Sequence, residues 1–506
     1  MAEFYFGIDF GTTNSAVVAI REDLGSPTQF VPVRDGGMDP IPSIVSYDAE
    51  DRMRAGTPVR EEAIALRQGG FHTVVESVKT VIEQNRLIDG KTPIQIASDL
   101  LAYLSNCARE DSVVLRPIDR AVFAIPVEWP AAKRKALREA AKRAGIDVAG
   151  FVSEPTAALL AMHDDFRRHE FIAVFDWGGG TLDVAILQRD RFGWREIAKR
   201  MLPRAGDAID ESVARSLHSS IVSRAGRDVA FEDLAPRTLQ ILRNRAEELK
   251  RRMQRSGAQD ERVQLLHFEI AGGEPILKPS AELSKTQFFG VVQPIVNEAV
   301  ACLEDVVRSS GVGRHQIGAV LAIGGSSQIV TLRQALEGGA DPWPVQYGPV
   351  GSGSTDITSG SAWLVARGAA LLARAGGRCA RLADDIGLLV ADSEQEFFSI
   401  LSAGDSGLSL SVPREHTFGI VEDAPLATFI IAARPPQKRP SRIGEIGLPV
   451  QGFLSEHLRF SLRVDRDDVL RARAVSSNRE KEPQEKAIEN VRWSYDLESL
   501  KVGQSQ

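Results

Sequence analysis

Two glycine-rich segments have the residue types and spacing needed to bind a phosphate group. In each, an apolar run reaches an aspartate, the chain turns through glycine and threonine, and a second apolar run follows: FGIDFGTTNSAVVAI around Asp9 and FIAVFDWGGGTLDVAIL around Asp176. Glycine lets the backbone approach an anion closely, and the N–H groups and hydroxyls of such a turn donate to phosphate oxygens. The candidate phosphate contacts are Gly11, Thr12, Thr13, Asn14, Gly178, Gly179, Gly180 and Thr181.

The element after each turn distinguishes these segments from a P-loop. A Walker loop has the pattern GxxxxGK[ST] and opens a helix, whereas both turns here are predicted to lead back into a strand. Two hairpins of one design indicate an internally duplicated fold. Asp9 and Asp176 could then face each other across a cleft and hold Mg²⁺ largely through water around a triphosphate, because this cation dehydrates reluctantly. Taken singly, either hairpin is equally well an ordinary turn with a solvated aspartate.

A third segment, AVLAIGGSSQIVTLRQAL, predicts a buried strand, a turn at Gly324, Gly325 and Ser326, and a helix start. The backbone of such a turn can close over a nucleoside, and the helix N-terminus favours anions. On its own this pattern is weak evidence, because strand–glycine–helix turns are common in α/β folds.

The elements that must position these turns change in character along the chain. Up to about residue 375, apolar runs such as AVFAIPV alternate with helical stretches such as TLQILRNRAEELKRRM, which indicates an α/β architecture. After that, LRFSLRV and VLRARAV predict a β hairpin among other short strands. From SSNREKEPQEK onward the chain is charged and polar, and we expect a loose tail with one short helix in KAIENVRW.

This organisation gives a division into domains. A chain of 506 residues should form about three domain-sized pieces at roughly 100 to 200 residues each. We expect a nucleotide-binding domain of two lobes over residues 1–375, a linker over 376–385, a β-rich substrate-binding domain over 386–477 and a polar tail over 478–506.

Composition excludes several classes of protein. Hydrophobic residues make up 43% and charged residues 25% of the chain, and the net charge is −7, so we expect a globular protein without a nucleic-acid or membrane partner. The sequence contains no apolar run of membrane-spanning length, and its first residues show no signal-peptide pattern, so we expect no signal peptide. Its three cysteines lack disulfide or zinc spacing, which indicates a reducing compartment, and we expect the cytoplasm. They are Cys107, Cys302 and Cys379.

The three glycine-rich segments resemble the phosphate-1, phosphate-2 and adenosine motifs of the actin superfamily, specifically those of the heat-shock protein 70 chaperones. The stretches PSIVSY, VESVKT, AIPVEWPAAKRKALREAAKRAG, FVSEPTAALLAM and RAEELKRRM resemble parts of that family in the same order. Sugar kinases and actins share the hairpins but not the block from Pro126 to Glu154. The resemblance implies a two-lobed actin-like ATPase domain with a duplicated ribonuclease-H-like fold, which binds ATP or ADP with Mg²⁺, followed by a small β-sandwich-like domain.

The resemblance also implies roles for individual residues. Lys79 resembles the lysine that reaches the γ-phosphate and the attacking water, and Asp9, Glu154, Asp176 and Asp183 resemble the acidic cluster around metal and water. The implied catalytic residues are Lys79, Glu154, Asp176 and Thr181, with Asp9, Asp176 and Asp183 at the metal. Without that context, Lys79 is a solvated helix lysine and Glu154 a first-turn acid favoured by the helix dipole.

The nucleoside side of the implied site departs from the family pattern. Gln254 replaces the usual serine and Gln328 replaces an arginine that lies against adenine, so the preference for adenine over guanine stays open. Arg251 is suited to stacking on the base. The implied nucleotide contacts on this side are Gly206, Asp207, Glu247, Lys250, Arg251, Gln254, Gly324, Gly325, Ser326 and Gln328.

The resemblance also concerns communication between the domains. Pro126, Arg134 and Glu154 resemble residues that couple nucleotide state to domain rearrangement, whereas Arg134 taken alone is better explained by a solvated basic helix face. Ser153 replaces the usual asparagine before EPTAA. The segment ARAGGRCARLADDIGLL differs from the family's apolar, aspartate-bearing linker, and we expect no helical lid.

These patterns predict a slow chaperone ATPase in which Mg-ATP controls the binding of a polypeptide client by the β domain. A nucleotide-exchange factor or co-chaperone is an expected partner, and the chain is expected to be a monomer. Two alternatives stay open: an actin-type scaffold or assembly protein with one dedicated partner, and a small-molecule kinase.

Overall fold

The structure of the chain is a computed structural model. It describes residues 2–23, 26–36, 40–61, 73–82, 84, 86–190, 193–253, 260–265, 267–338, 341–348, 361–377, 380–390, 397–420, 425–436, 438–451, 456–478, 482–489 and 491–496.

The first lobe is built on a sheet with the strand order β3-β2-β1-β8-β9, in which β4 also pairs with β2. Strands β1, β2 and β3 are antiparallel neighbours, and β8 and β9 continue the sheet parallel to β1. A smaller sheet has the order β6-β5-β7. The strands are β1 Glu3–Asp9, β2 Asn14–Glu22, β3 Gln29–Val33, β4 Ile41–Pro42, β5 Val45–Tyr47, β6 Met53–Ala55, β7 Thr73–Val75, β8 Arg120–Ile125 and β9 Asp147–Ser153.

Helices cover both faces of this sheet. The longest begins after Thr92, whose side chain accepts a hydrogen bond from Gln95 N at 3.2 Å and so caps the helix. Apolar residues at helical spacing on this helix, including Ile96, Leu100 and Leu104, are fully buried. The helices are Val78–Val81, Pro93–Glu110, Ala131–Arg143, Glu154–Ala161 and His163–Phe166.

The second lobe contributes five strands, in the order β18-β17-β10-β11-β12, to a seven-stranded sheet that β28 and β19 extend beyond β12. Again the first three strands, β10 to β12, are antiparallel neighbours, and β17 and β18 continue parallel to β10. The small pairs β13–β16 and β14–β15 lie apart from it. The strands are β10 Phe171–Trp177, β11 Leu182–Arg189, β12 Gly193–Leu202, β13 Glu261–Gln264, β14 His267–Phe268, β15 Ile276–Leu277, β16 Ser280–Leu283, β17 Ile317–Ile323 and β18 Val345–Tyr347.

The helices of this lobe include one with a reciprocal cap, in which Ser284 and Gln287 each bond the other's backbone N–H. They are Gly206–Arg224, Pro236–Met253, Lys285–Ser310 and Val330–Glu337, with 3₁₀ turns at Phe231–Asp233, Arg314–Gln316 and Gly325–Gln328. The helix Leu364–Arg374 returns to the first lobe, where it packs on β1, β2 and β8. Since both lobes share one strand order and one pattern of directions, the predicted duplication is confirmed.

The helix Leu364–Arg374 packs at very short range on the first lobe, against β1 and the helix Glu154–Ala161. A Cβ built on Gly368, in the helix Leu364–Arg374, would lie 1.8 Å from the backbone oxygen of Ala157 in the helix Glu154–Ala161. A Cβ on Gly7 of β1 would lie 2.1 Å from Ala370 N. Only glycine permits these approaches, so Gly7 and Gly368 determine how closely the helix Leu364–Arg374 packs on the first lobe.

The C-terminal region is a β sandwich. Its two sheets have the orders β21-β20-β23-β24 and β22-β25-β26-β27, and Phe429 and Phe460 stack between them with ring centroids 4.9 Å apart. The strands are β19 Ala380–Leu382, β20 Asp385–Leu389, β21 Phe397–Leu401, β22 Arg414–Gly419, β23 Leu426–Arg434, β24 Ser441–Pro449, β25 His457–Val464, β26 Leu470–Ser476, β27 Gln484–Ile488 and β28 Trp493–Asp496, with a short helix at Leu408–Ser411.

The prediction of a loose tail with a helix in KAIENVRW is wrong. Residues Gln484–Ile488 form the edge strand β27 of the sandwich, and β28 pairs with β12 at the edge of the second-lobe sheet. Ile488 of β27 and Trp493 and Tyr495 of β28 are buried. A few buried apolar side chains therefore stabilise both strands although the surrounding sequence is polar. The expected linker contributes β19 and the start of β20, while the domain limits themselves stay predictions.

No helix among the described residues is long and apolar enough to cross a membrane. Cys107 and Cys302 are buried free cysteines, and Cys379 lies outside the described residues.

Candidate functional site

The two predicted glycine-rich turns face each other directly. A Cβ built on Gly179 would lie 2.1 Å from Thr13 Oγ1, and a Cβ on Gly180 would lie 3.0 Å from Thr12 Oγ1. The second turn closes with a hydrogen bond from Gly178 N to Thr181 O at 3.0 Å. The structure thus brings together the two lobes' candidate phosphate contacts, one turn from each.

The loop that starts the helix Gly206–Arg224 packs on the second turn. Gly206 N donates to Gly178 O at 3.2 Å and Asp207 N donates to Gly179 O at 2.7 Å. Ser326, from the third predicted segment, donates its hydroxyl to the same Gly178 oxygen at 2.7 Å. These three hydrogen bonds therefore fix the backbone of the second turn against the Gly206–Arg224 helix and the third segment.

Gly324 also requires its own residue type. Its φ is +83°, and a Cβ there would lie 2.4 Å from Trp177 O and 2.7 Å from Asp176 Oδ1. A side chain would be strained in this left-handed conformation and would collide with the second hairpin. This glycine therefore lets the third segment approach the acidic residue of that hairpin.

Four carboxylates and one lysine form a buried cluster behind the turns. Lys79 Nζ lies 2.6 Å from Glu154 Oε1, and both side chains are buried. Burial raises the pKa of both Asp9 and Asp183 to about 7. The negative charge of Glu154 is the second cause in each case. Burial and the neighbouring carboxylates raise the pKa of Asp176 well above its ordinary value. The cluster holds more negative charge than Lys79 can balance, as expected at a cation site.

The donor set of this cluster fits a magnesium ion held through water. Mg²⁺ prefers carboxylate oxygens and keeps several of its waters. Within the described part of the chain, no three carboxylate, histidine or cysteine side chains converge closely enough to ligate an ion directly. Val127 N donates to Asp183 Oδ1 at 2.9 Å, so the residue after Pro126 fixes one of these carboxylates.

On the nucleoside side, the two predicted basic contacts differ in burial, with the side chains of Lys250 and Arg251 16% and 65% exposed. Lys250 Nζ is 2.6 Å from Asp210 Oδ2 and 3.3 Å from Gly206 O, and burial raises the pKa of Asp210 to about 6. Arg251 is exposed and pairs with Glu247 at 2.7 Å. Gln254 lies outside the described residues.

Sequence reasoning missed Arg333, which lies beside the predicted base contact Gln328. Arg333 Nη2 donates to Gln328 Oε1 at 2.9 Å, and its guanidinium lies 4.0 Å from the ring centre of Tyr347. Arg333 follows Gln328 by five residues and lies on the next helix, Val330–Glu337. This short separation is one signal from which the sequence could have predicted the contact. Arg60 was also missed; its Nη1 donates to Asn14 Oδ1 at 2.8 Å.

The predicted coupling residue Arg134 lies on the helix that contacts the β sandwich. In this helix Ala131 N donates to Glu489 Oε2 at 2.9 Å, and Arg134 Nη2 lies 3.9 Å from the same oxygen. Arg138 Nε donates to Asp467 Oδ1 at 2.7 Å. Part of this basic face is therefore an intramolecular interface.

Comparison with known proteins identifies the family of the chain. The family model described as "Hsp70 protein" matches residues 71–341, more than half of the chain. The chain belongs to the Hsp70 family. The matched range includes Lys79, Glu154, Asp176 and Asp183 but neither the first hairpin nor the β sandwich.

Two curated relatives of this Hsp70-family chain are named as homologues of the chaperone protein HscA. The protein from Burkholderia thailandensis is 29% identical over 353 residues, which cover 65% of this chain and 53% of that protein. The protein from Pseudomonas fluorescens is 30% identical over 359 residues, with 65% and 53% covered. The chain spans about half the length of the curated relatives it matches.

Proposed function

We propose that this Hsp70-family chain is a slow chaperone ATPase, which binds Mg-ATP between its lobes and thereby controls the binding of a polypeptide client. The observation that carries the proposal is the contact of the two turns, Gly179 against Thr13 and Gly180 against Thr12, directly in front of the buried acidic cluster. A triphosphate between the turns would meet backbone N–H groups and hydroxyls from both lobes.

The residues of the cluster would have different roles in ATP hydrolysis. Phosphoryl transfer to water depends mainly on positioning and on neutralising charge. Lys79 would stabilise charge on the terminal phosphate, with Glu154 holding its ammonium group at 2.6 Å. Asp176 would orient the attacking water, and Thr181 would contact the phosphate.

Asp9, Asp176 and Asp183 would hold the magnesium ion, largely through water. When bound, the ion supplies positive charge to the phosphate oxygens. Gly206, Asp207, Lys250 and the Gly324–Gln328 turn would enclose the nucleoside.

The β sandwich is placed to respond to the lobes. Strand β28 pairs with β12 of the second lobe, whereas Asp467 and Glu489 bond the Ala131–Arg143 helix of the first lobe. A change in the angle between the lobes would therefore strain these contacts. We propose that this strain transmits nucleotide state to a client site on the sandwich, and that a co-chaperone or exchange factor assists from the cytoplasm.

The test is ATP turnover with and without an unfolded polypeptide. The proposal predicts slow magnesium-dependent hydrolysis that rises when a peptide of apolar residues is added. Hydrolysis that is insensitive to peptide, together with nucleotide-dependent filaments on sedimentation, would instead support an actin-type scaffold.

A further inference from the structure

A buried carboxylate on β12 lies at the boundary between the lobes. Glu196 is 3% exposed. Its Oε1 accepts hydrogen bonds from the hydroxyls of Ser153 and Thr156 in the first lobe, and its Oε2 lies 3.2 Å from Lys199 Nζ in its own strand. Glu196 therefore joins the second-lobe sheet to the end of β9 and the helix that follows.

The two hydroxyls belong to the first turn of the helix Glu154–Ala161. Ser153 is the N-cap residue, and its Oγ accepts from Thr156 N at 3.3 Å. Glu154 stands between them as the first helical residue, and its carboxylate holds Lys79. Since a capping residue fixes how the chain enters a helix, the direction of the Glu154 side chain depends on the turn that Glu196 holds.

The charge of Glu196 is an essential part of this arrangement. Burial acts to raise the pKa of Glu196, but Lys199 and the hydroxyls of Ser153 and Thr156 outweigh it and hold the pKa below its ordinary value. Hydrogen bonds to an ionised group are about twice as strong as those between neutral groups. The ionised carboxylate therefore keeps both hydroxyls in one orientation.

A strand irregularity sets the direction of Glu196. In the β11–β12 ladder, Ile186 pairs with Ala198 and Leu187 pairs with Glu196, so Ile197 is an extra residue. Such bulges redirect neighbouring side chains and are frequent beside active sites. Immediately before the bulge, Arg195 pairs with Ser494 of β28.

We propose that Glu196 is a positioning residue for ATP hydrolysis: it fixes the first turn of the Glu154–Ala161 helix and so holds Glu154 against Lys79. This inference rests on the proposed ATPase function. It assigns Glu196 an effect on the chemical step and none on nucleotide binding.

The first experiment compares Glu196→Gln with the wild type in single-turnover hydrolysis and in calorimetric titration with ADP. Glutamine keeps the shape of the side chain and removes its charge. We expect kcat to fall by about tenfold or more, since small displacements in an active site have effects of this size, and Kd for ADP to stay within about twofold. The control is Glu282→Gln, which removes an exposed carboxylate that pairs with Arg224 at 2.7 Å.

A matched pair at Thr156 separates positioning from general damage. Thr156→Val removes the hydroxyl at nearly constant volume and should reproduce the loss of kcat, whereas Thr156→Ser keeps the hydroxyl and should restore hydrolysis. Equal activity of the valine and serine variants would overturn the proposal, as would unchanged kcat in Glu196→Gln.

Hydrogen exchange gives a readout that does not require hydrolysis. In nucleotide-free protein, we expect the amides of the Glu154–Ala161 helix to exchange faster in Glu196→Gln and Thr156→Val than in the wild type and Thr156→Ser. Equal exchange in all four proteins would contradict the role of Glu196. A wild-type chain that does not hydrolyse ATP would contradict the proposed function instead, and the exchange data would still decide whether Glu196 holds the helix.

Discussion

Lys79 Nζ lies 2.6 Å from Glu154 Oε1, and the two side chains are 6% and 8% exposed. Lys79 also lies over the ring of Trp129, 5.8 Å from its centre. Lys79 is the one cation among the five titratable groups of the cluster, and the pKa of Asp9, Asp176 and Asp183 is raised around it. Within the cluster, Lys79 is therefore the positive charge that partly balances Glu154 and the neighbouring aspartates.

Replacing Lys79 with alanine should affect both stability and hydrolysis. Removing one partner of a buried ion pair costs about 3–5 kcal/mol, because the remaining charge stays buried without compensation. We expect a loss of this size in urea unfolding and no measurable hydrolysis in a single-turnover assay. Lys285→Ala, which removes an exposed lysine, is the matched control.

A double variant separates the two effects of Lys79. Lys79→Ala combined with Glu154→Gln should recover much of the lost stability, since the unpaired charge is gone, without recovering hydrolysis. Wild-type turnover in either variant would defeat the assignment of Lys79.

Stability should depend on pH through the acidic cluster. Burial raises the pKa of Asp9 and Asp183 to about 7, from an unfolded value of about 3.9. Such groups stabilise the fold fully below their unfolded pKa, and this contribution is lost as pH rises through their folded pKa. The nucleotide-free, magnesium-free protein should therefore lose this contribution between about pH 4 and about pH 7.

The Asp9→Asn variant tests the sign of that effect. Asparagine cannot ionise, so the variant should become more stable relative to the wild type as pH rises over this range. The measurement is the difference in unfolding free energy between the two proteins in urea, with chelator present. A difference that is constant or falls with pH would contradict the raised pKa of Asp9.

Gly179→Ala should force the two turns apart. The new methyl group would lie 2.1 Å from Thr13 Oγ1, whereas the nearest neighbour of a methyl group on Gly178 is Thr181 O at 3.7 Å. Overpacking of this kind costs about 1–3 kcal/mol, so nucleotide-free Gly179→Ala should be less stable than Gly178→Ala in urea unfolding. Equal stability of the two variants would show that the turns do not touch.

Strand β28 should anchor the β sandwich to the second lobe. Tyr495 pairs with Trp194 of β12 and with Ala380 of β19, so Tyr495→Pro removes a backbone donor in the middle of a ladder. We expect faster hydrogen exchange in β12 and β19 and earlier proteolysis between the lobes and the sandwich. The control is Gln484→Pro at the first residue of edge strand β27, where proline is tolerated; identical behaviour of the two variants would contradict the anchor.

The sequence was most informative where geometry depends on glycine. The turns at Gly179 and Gly324 allow backbone approaches that no other residue permits, and such positions are visible as local patterns around an aspartate. The alternation of strands and helices likewise predicted the α/β architecture, and the apolar pattern of LRFSLRV and VLRARAV predicted the β hairpin formed by β25 and β26. In these segments, local preference and tertiary structure agree.

The contacts that the sequence did not reveal join residues far apart in the chain. Glu196 meets Ser153 across 43 positions, and Arg138 meets Asp467 across 329. Strand β28 was missed because its pairing with β12 overrides the polar composition around it. Single side chains at tertiary interfaces carry no periodicity, so no pattern in one sequence could predict them.

The central claim is that the cleft between the two facing turns binds nucleotide through magnesium and the acidic cluster. Calorimetric titration of the wild type with ATP, ADP and GTP, with and without Mg²⁺, tests it most directly, with Asp9→Asn titrated in parallel. We predict one adenine nucleotide bound per chain, with an affinity that rises with Mg²⁺ in the wild type and much less in the variant. No binding, or binding that is unchanged by magnesium and by Asp9→Asn, would contradict the account.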